Sequence, residues 1–201
     1  MALAAGVDSD TQRIARDLRE GNIAVLQSLV EQYQYRLVRY LTYLLGSRDA
    51  VDDLVQETWL RVFERGASYD GHSRFEPWLF TIARNLTIDY MRKRRTFSLD
   101  SDSGTGEDAA AMQPVSTVPS PFALAARTED AEQLVHSLET LAPIYREALV
   151  LRFQEDLSLQ EMAGVLQAPL TTVSSRIHRG LAALRAQFEA REPMKGGGHA
   201  S

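Results

Sequence analysis

The chain has 201 residues, 44% of them hydrophobic and 24% charged, with a formal net charge of -5 and no cysteine. That balance excludes wholesale disorder and leaves room for two small domains with their own cores, while the missing thiols exclude disulfides, cysteine nucleophiles and cysteine-ligated zinc. No apolar run approaches the roughly 20 residues that span a bilayer, and no leader of basic, apolar and small residues stands at the N-terminus, so a cytoplasmic protein without membrane insertion is expected.

From Thr11 to Arg95 the pattern is helical almost throughout, broken at Gly21, at Gly46 to Asp49 and at Gly66 to Ser73, which predicts an all-helical domain over 11–95. Within it, the segment Arg48 to Arg65 reads RDAVDDLVQETWLRVFER. Leu54, Val55, Trp59, Val62 and Phe63 supply a buried side, and Asp49, Asp52, Asp53, Gln56 and Glu57 form an acidic front near the helix N-terminus, where the dipole favours negative charge. With no histidine beside these carboxylates, a surface for a basic protein partner is the better reading than a metal site. Further on, Arg84, Arg92, Lys93, Arg94 and Arg95 follow Phe75, Trp78 and Phe80 and interleave with Tyr90. Cations beside aromatic rings suit single-stranded nucleic acid, where each stacked base is worth about 1–3 kcal/mol. The helical spacing of Trp78, Leu79, Ile82, Ala83 and Leu86 assigns most of these apolar groups to a core and leaves the polar faces for nucleic acid.

Residues 96–127 shift to Ser, Asp, Gly, Ala and Pro without periodicity, the composition of a flexible linker. A second helical block is predicted over 128–190, and 191–201 reads as a disordered tail. The block contains LQEMAGVLQAPLTTVSSRIHRGLAAL, Leu159 to Leu184. Leu159, Met162, Ala163 and Leu166 recur at helical spacing, and Pro169 ends that helix. Thr171 and Thr172 are placed to cap the next, in which Val173, Ile177, Leu181 and Leu184 form an apolar stripe. Ser174, Ser175, Arg176, His178 and Arg179 then occupy other faces, as in a helix-turn-helix whose second helix enters a major groove. An ordinary helical hairpin with a solvated polar face fits the same pattern.

Together, DAVDDLVQETWLRVF, FEPWLFTIARNLTIDYMRKRR, the text from Leu141 to Phe153, and LSLQEMAGVLQAPLTTVSSRIHRGLAALR resemble the small bacterial sigma factors of RNA polymerase, the extracytoplasmic-function (ECF) class. The resemblance covers both blocks in order. It implies an all-α protein of two helical domains, sigma domains 2 and 4, joined by a flexible linker, the C-terminal one containing the helix-turn-helix. It implies that Asp49, Asp52, Asp53, Gln56 and Glu57 dock on the beta-prime clamp helices of core polymerase, with domain 4 on the beta flap. The loop from Ser68 to Phe75, including Tyr69 and Ser73, and the helix from Pro77 to Arg95 fall where the family recognises and opens the minus-10 element. Trp78, Asn85, Asp89 and Arg92 belong to that surface, with Arg84, Lys93, Arg94 and Arg95 as phosphate contacts. Thr171, Thr172, Ser174, Ser175, Arg176, His178 and Arg179 lie on the helix that reads the minus-35 element. Thr171 and the pair Gly180–Leu181 depart from the glycine and the Ala-Arg pair common there. An anti-sigma factor is the implied regulator.

The alternative is a stand-alone helix-turn-helix regulator, which would have no need of the acidic helix. Nothing points to an enzyme, cofactor or metal: His72, His136, His178 and His199 are scattered and no phosphate-cradling glycine loop is present.

Overall fold

The computed structural model of the protein describes residues 2–46, 50–101 and 129–191. Its architecture is all-α, in two helical domains. The first contains α1 (Ala2–Arg19), α2 (Ile23–Leu45), α3 (Val51–Arg65), a short tight turn over Gly66–Ser68, and α4 (Phe75–Ser101). The second contains α5 (Glu129–Thr140), α6 (Pro143–Leu149), a wide turn over Val150–Gln154, α7 (Leu159–Leu166) and α8 (Leu170–Arg191). No helix among the described residues is long and apolar enough to cross a membrane.

The breaks follow local chemistry. Gly21 and Gly46 take left-handed backbone with φ near 70°, which glycine adopts without a Cβ penalty, and Asn22 caps α2 through a 3.0 Å bond accepted from Ala24 N–H. Pro143 opens α6, where its missing N–H is no loss. Ser158 and Glu161 form a reciprocal capping box at the start of α7, and Gln167 turns left-handed (φ 50°) to end it.

Several expectations are corrected at the ends and faces. α4 continues to Ser101, past the boundary expected at Arg95, because Thr96 to Ser101 holds no proline or glycine and the Thr96 hydroxyl donates back to the Arg92 carbonyl at 3.1 Å. The remaining residues expected to form the linker, 102–127, and the tail after Arg191 lie outside the described residues. Thr171 and Thr172 do not cap α8: the Pro169 carbonyl accepts its first helical bond from Val173 N–H, so both threonines lie inside the first turn. Phe63, Leu159 and Leu181, expected on buried sides, are exposed. In α8 the inward position after Ile177 is Gly180, where an added Cβ would stand 3.1 Å from the Leu149 side chain.

Two apolar clusters form the core. One gathers Ala15, Leu18, Leu29, Tyr33, Val62, Tyr69, Phe75 and Leu79 at the α1 end of the first domain. The other runs without interruption from Leu37, Leu41, Leu44, Val51 and Phe80 into Leu149, Leu151, Leu157, Met162 and Val173, so the two domains share it.

Candidate polymerase and nucleic-acid interfaces

The first expected site lies on α3. Asp52 and Asp53 are exposed in its first turn, Gln56 is exposed, and Glu57 is half-buried against Arg61 Nε at 2.9 Å. Asp49 lies outside the described residues. Leu60 and Phe63, each 56% exposed, extend the same face. Successive steps of three and four residues from Asp52 through Gln56 and Leu60 to Phe63 stay on one side of a helix. The face is therefore a mixed one, acidic at the N-terminal end and apolar further along. Scattered apolar side chains need no explanation, whereas a row of them rimmed by charge is the composition of an interface.

The second site is built on the loop after the tight turn and on α4. Tyr69 and Phe75 are 1% and 2% exposed and so do not present themselves to a ligand. They are instead the floor beneath Trp78: ring centroids stand 5.3 Å apart for Tyr69–Trp78, 5.6 Å for Phe75–Trp78 and 5.5 Å, edge-on, for Tyr69–Phe75. The Tyr69 hydroxyl donates to the Ser73 carbonyl at 2.6 Å, which ties the loop down while leaving the Ser73 side chain exposed. Burial, with the nearby Glu76 carboxylate, raises the Tyr69 pKa, and the same causes push Tyr33 up to about 12. Burial opposes ionisation of Glu76, but its backbone hydrogen bond together with Arg74 and Arg36 holds its pKa below the ordinary value.

Trp78 forms one wall of a pocket of about 310 Å³ whose rim carries Arg61, Arg65, Ser68, Asn85 and Asp89. An aromatic wall with cations, an amide and a carboxylate around it has the chemistry to hold a flat heterocycle by stacking and edge hydrogen bonds. Arg92 bonds Asp89 at 2.8 Å, and Lys93, Arg94 and Arg95 are exposed beyond it. Arg84 points elsewhere: its Nε donates to Glu147 of the second domain at 2.8 Å. Asn85 accepts from the Gln167 side chain at 3.4 Å.

The third site is the outer face of α8. Thr171, His178 and Arg179 are exposed, and Thr172, Ser174, Ser175 and Arg176 are half-buried, around the inward Val173, Ile177 and Gly180. The capping box and left-handed Gln167 hold α7 and α8 apart by a short turn, the geometry of a helix-turn-helix.

Two sequence families match the chain, described as sigma-70 region 2 over residues 29–97 and sigma-70 region 4 over residues 131–184. The ECF RNA polymerase sigma factor SigW of Bacillus subtilis is 30% identical over 175 residues, which is 86% of this chain and 94% of that one. The chain belongs to the ECF RNA polymerase sigma factors. SigM of the same organism is 31% identical over 163 residues, covering 81% of this sigma factor and 94% of its relative. Among solved structures, the sigma factor RpoE in complex with the anti-sigma factor NepR from Bartonella quintana superposes with a TM-score of 0.66 at 25% identity, covering 82% of this chain and 97% of that one. CnrH, in complex with the cytosolic domain of CnrY, shares the fold with a TM-score of 0.62, 90% of this chain and 97% of that one being covered.

Sequence reasoning on this sigma factor missed the apolar part of the α3 face and most residues that join the domains, Arg36, Arg39 and Tyr40 on α2 and Glu147 and Glu155 in the second domain, and it named Arg84 and Asn85 only for nucleic acid. Leu60 and Phe63 were legible as apolar, but helical spacing alone could not say which apolar residues stay outside. The paired charges lie more than a hundred residues apart in sequence and carried no local signal.

Proposed function

We propose that this sigma factor binds core RNA polymerase and directs promoter-specific transcription initiation. The observation that carries the reading is the exposed acidic and apolar face of α3, which a stand-alone DNA-binding regulator would not need. In this reading Asp52, Asp53, Gln56 and Glu57, with Asp49, meet the basic surface of the beta-prime clamp helices, and Leu60 and Phe63 supply the desolvated centre of that contact. The first domain recognises and melts the minus-10 element. Opening a base pair costs a few kcal/mol, so a displaced base must be held; the Trp78 pocket, with Asn85 and Asp89 at its rim, receives it while Ser73, Arg92, Lys93, Arg94 and Arg95 follow the backbone. Tyr69 and Phe75 act as the packing that fixes Trp78, and Arg84 becomes available to phosphate once its carboxylate partner leaves. The second domain docks on the beta flap and reads the minus-35 element with Thr171, Thr172, Ser174, Ser175, Arg176, His178 and Arg179.

The protein does this in the cytoplasm, without catalysis of its own. An anti-sigma factor that covers the α3 face is the expected regulator, as the Bartonella relative is bound to one. The deciding experiment is reconstituted transcription with bacterial core polymerase and a pool of promoter fragments. Promoter-specific transcripts that depend on the protein support the reading; DNA binding without polymerase association would transfer it to a stand-alone regulator.

A further inference from the structure

The pocket beside Trp78 is lined on one side by the last turn of α3, and the polar groups on its rim differ in how far they are already committed. Arg61 is spent within its own helix: Nε donates to Glu57 at 2.9 Å and Nη1 to Glu64 at 3.4 Å. The Ser68 hydroxyl donates to the Arg65 carbonyl at 2.7 Å and the Thr81 hydroxyl to the Pro77 carbonyl at 2.7 Å, so neither has a proton left for a ligand. Asp89 Oδ1 accepts from Arg92 at 2.8 Å and Asn85 Oδ1 accepts from Gln167 at 3.4 Å, which leaves a second carboxylate oxygen and an amide NH2. The Arg65 guanidinium, at an exposed position on the same rim, has no hydrogen-bond or ion-pair partner among the described residues.

A cation in the last turn of a helix is favoured by the dipole whatever stands nearby, and an exposed arginine alone indicates nothing. Arg65 is distinguished by its place. The Trp78 ring fixes the plane of a base stacked against it, with Ile82 and Leu86 continuing the apolar lining, so the rim groups are the ones that meet the edge of that base. Among them the planar fork of Arg65 is the free charged donor, and the Asn85 amide adds to it. A rim rich in donors suits a base that turns a carbonyl oxygen toward it, as cytosine, thymine and guanine can. Adenine has no carbonyl; it offers ring nitrogens and an amino group whose N–H would face the guanidinium. A site that hydrogen-bonds a group of its substrate discriminates strongly against an analogue lacking that group, because its own polar group is then covered and unpaired.

We infer that Arg65 sets the base specificity of this pocket by donating to a carbonyl oxygen of the captured base, so that cytosine, guanine and thymine are held and adenine is refused. The inference rests on the base-capture reading above and names the class of base that reading leaves open.

The test uses the full chain reconstituted with bacterial core polymerase and titrated with fork DNA that carries the promoter recovered in the transcription assay, its minus-10 non-template strand unpaired. The captured position is the one at which an abasic site weakens binding by the parent but not by Trp78→Ala. There the four bases are exchanged in turn. The parent should bind the cytosine, guanine and thymine forms about ten-fold more tightly than the adenine form. Arg65→Met keeps the aliphatic stem at an exposed site and should bring adenine within about two-fold of the others, with thermal unfolding unmoved. Arg65→Lys keeps the charge and the dipole contact but not the planar fork, and should lose most of the discrimination as well. Equal weakening on all four bases with a shallower salt dependence, restored by lysine, would make Arg65 a phosphate contact and overturn the inference. A preference unchanged in both variants, or an adenine form that the parent binds as tightly as the rest, overturns it too. If no position passes the Trp78 comparison, the pocket holds no base and the capture reading falls with the inference; a position that passes without any effect of Arg65 removes the inference alone.

Discussion

At the level of single residues, the loop before α4 is held in shape by one glycine, Gly71, and two tyrosines, Tyr33 and Tyr69. Gly71 has φ +74°, and a Cβ there would stand 3.0 Å from the Thr11 carbonyl oxygen and from Gln12 Cα, backbone atoms that cannot swing aside. Gly71→Ala should therefore destabilise the fold by about 2–5 kcal/mol, combining left-handed strain with overpacking, as measured by urea unfolding; a cost under half a kilocalorie would mean α1 can retreat. Tyr33, Tyr40 and Tyr69 all have pKa values raised first by burial and then by a carboxylate, Glu76 for Tyr33 and Tyr69 and Glu147 for Tyr40. A raised folded-state pKa means stability that is whole below the unfolded value of 10 and is lost as pH climbs toward about 12 for Tyr33. Tyrosinate absorbance should accordingly show a group of tyrosines ionising only as the protein unfolds in alkali. If all seven titrated together near pH 10 with the helices intact, the packing described for them would be wrong.

At the level of helices, α3 shows what spacing reveals and what it leaves open. Its acidic front was legible because charge clustered at an N-terminus stands out in sequence, and Leu54, Val55 and Val62 were correctly assigned inward. Phe63 was assigned inward on the same periodicity and lies outside, 56% exposed, because among the described residues α3 packs chiefly against α2 and α4 and turns this side away from both. Leu60→Ser with Phe63→Ser should leave thermal unfolding within about a degree or two of the parent, as exposed positions do. It should weaken core polymerase binding about ten-fold or more, as loss of an interface centre does. Unchanged affinity in a titration with core polymerase would move the docking site off this face. In α8, Gly180 illustrates the reverse: its place in the apolar stripe is filled by absence, since Leu149 packs against the bare backbone. Hydrophobic patterning has no symbol for that.

For the whole molecule, the division into two helical blocks was visible in the composition of the intervening stretch, but their association was not. It depends on Glu147 and Glu155 meeting Tyr40, Arg84, Arg36 and Arg39, contacts between residues up to 119 positions apart. The stretch between the blocks sets how far they can move. Deleting residues 104–125 leaves a reach of about 20 Å between Ser101 and Glu129, enough for the packed domains and too short for two distant promoter elements. That deletion should keep polymerase binding and lose transcription, and transcription at the parent level would show that the domains need not separate. The apolar cluster shared across the seam has a consequence for the protein in pieces. A chain cut between the blocks retains every contact of the seam and loses only the tether, so the halves should recognise each other as two subunits would. Their affinity would fall by the effective concentration the tether supplied, in the millimolar range for a short flexible link. Co-expressed as separate chains, they should therefore copurify as a one-to-one heterodimer in low salt and part in high salt, giving a two-subunit sigma factor from a single gene; halves that never associate would mean the tether alone brings the domains together.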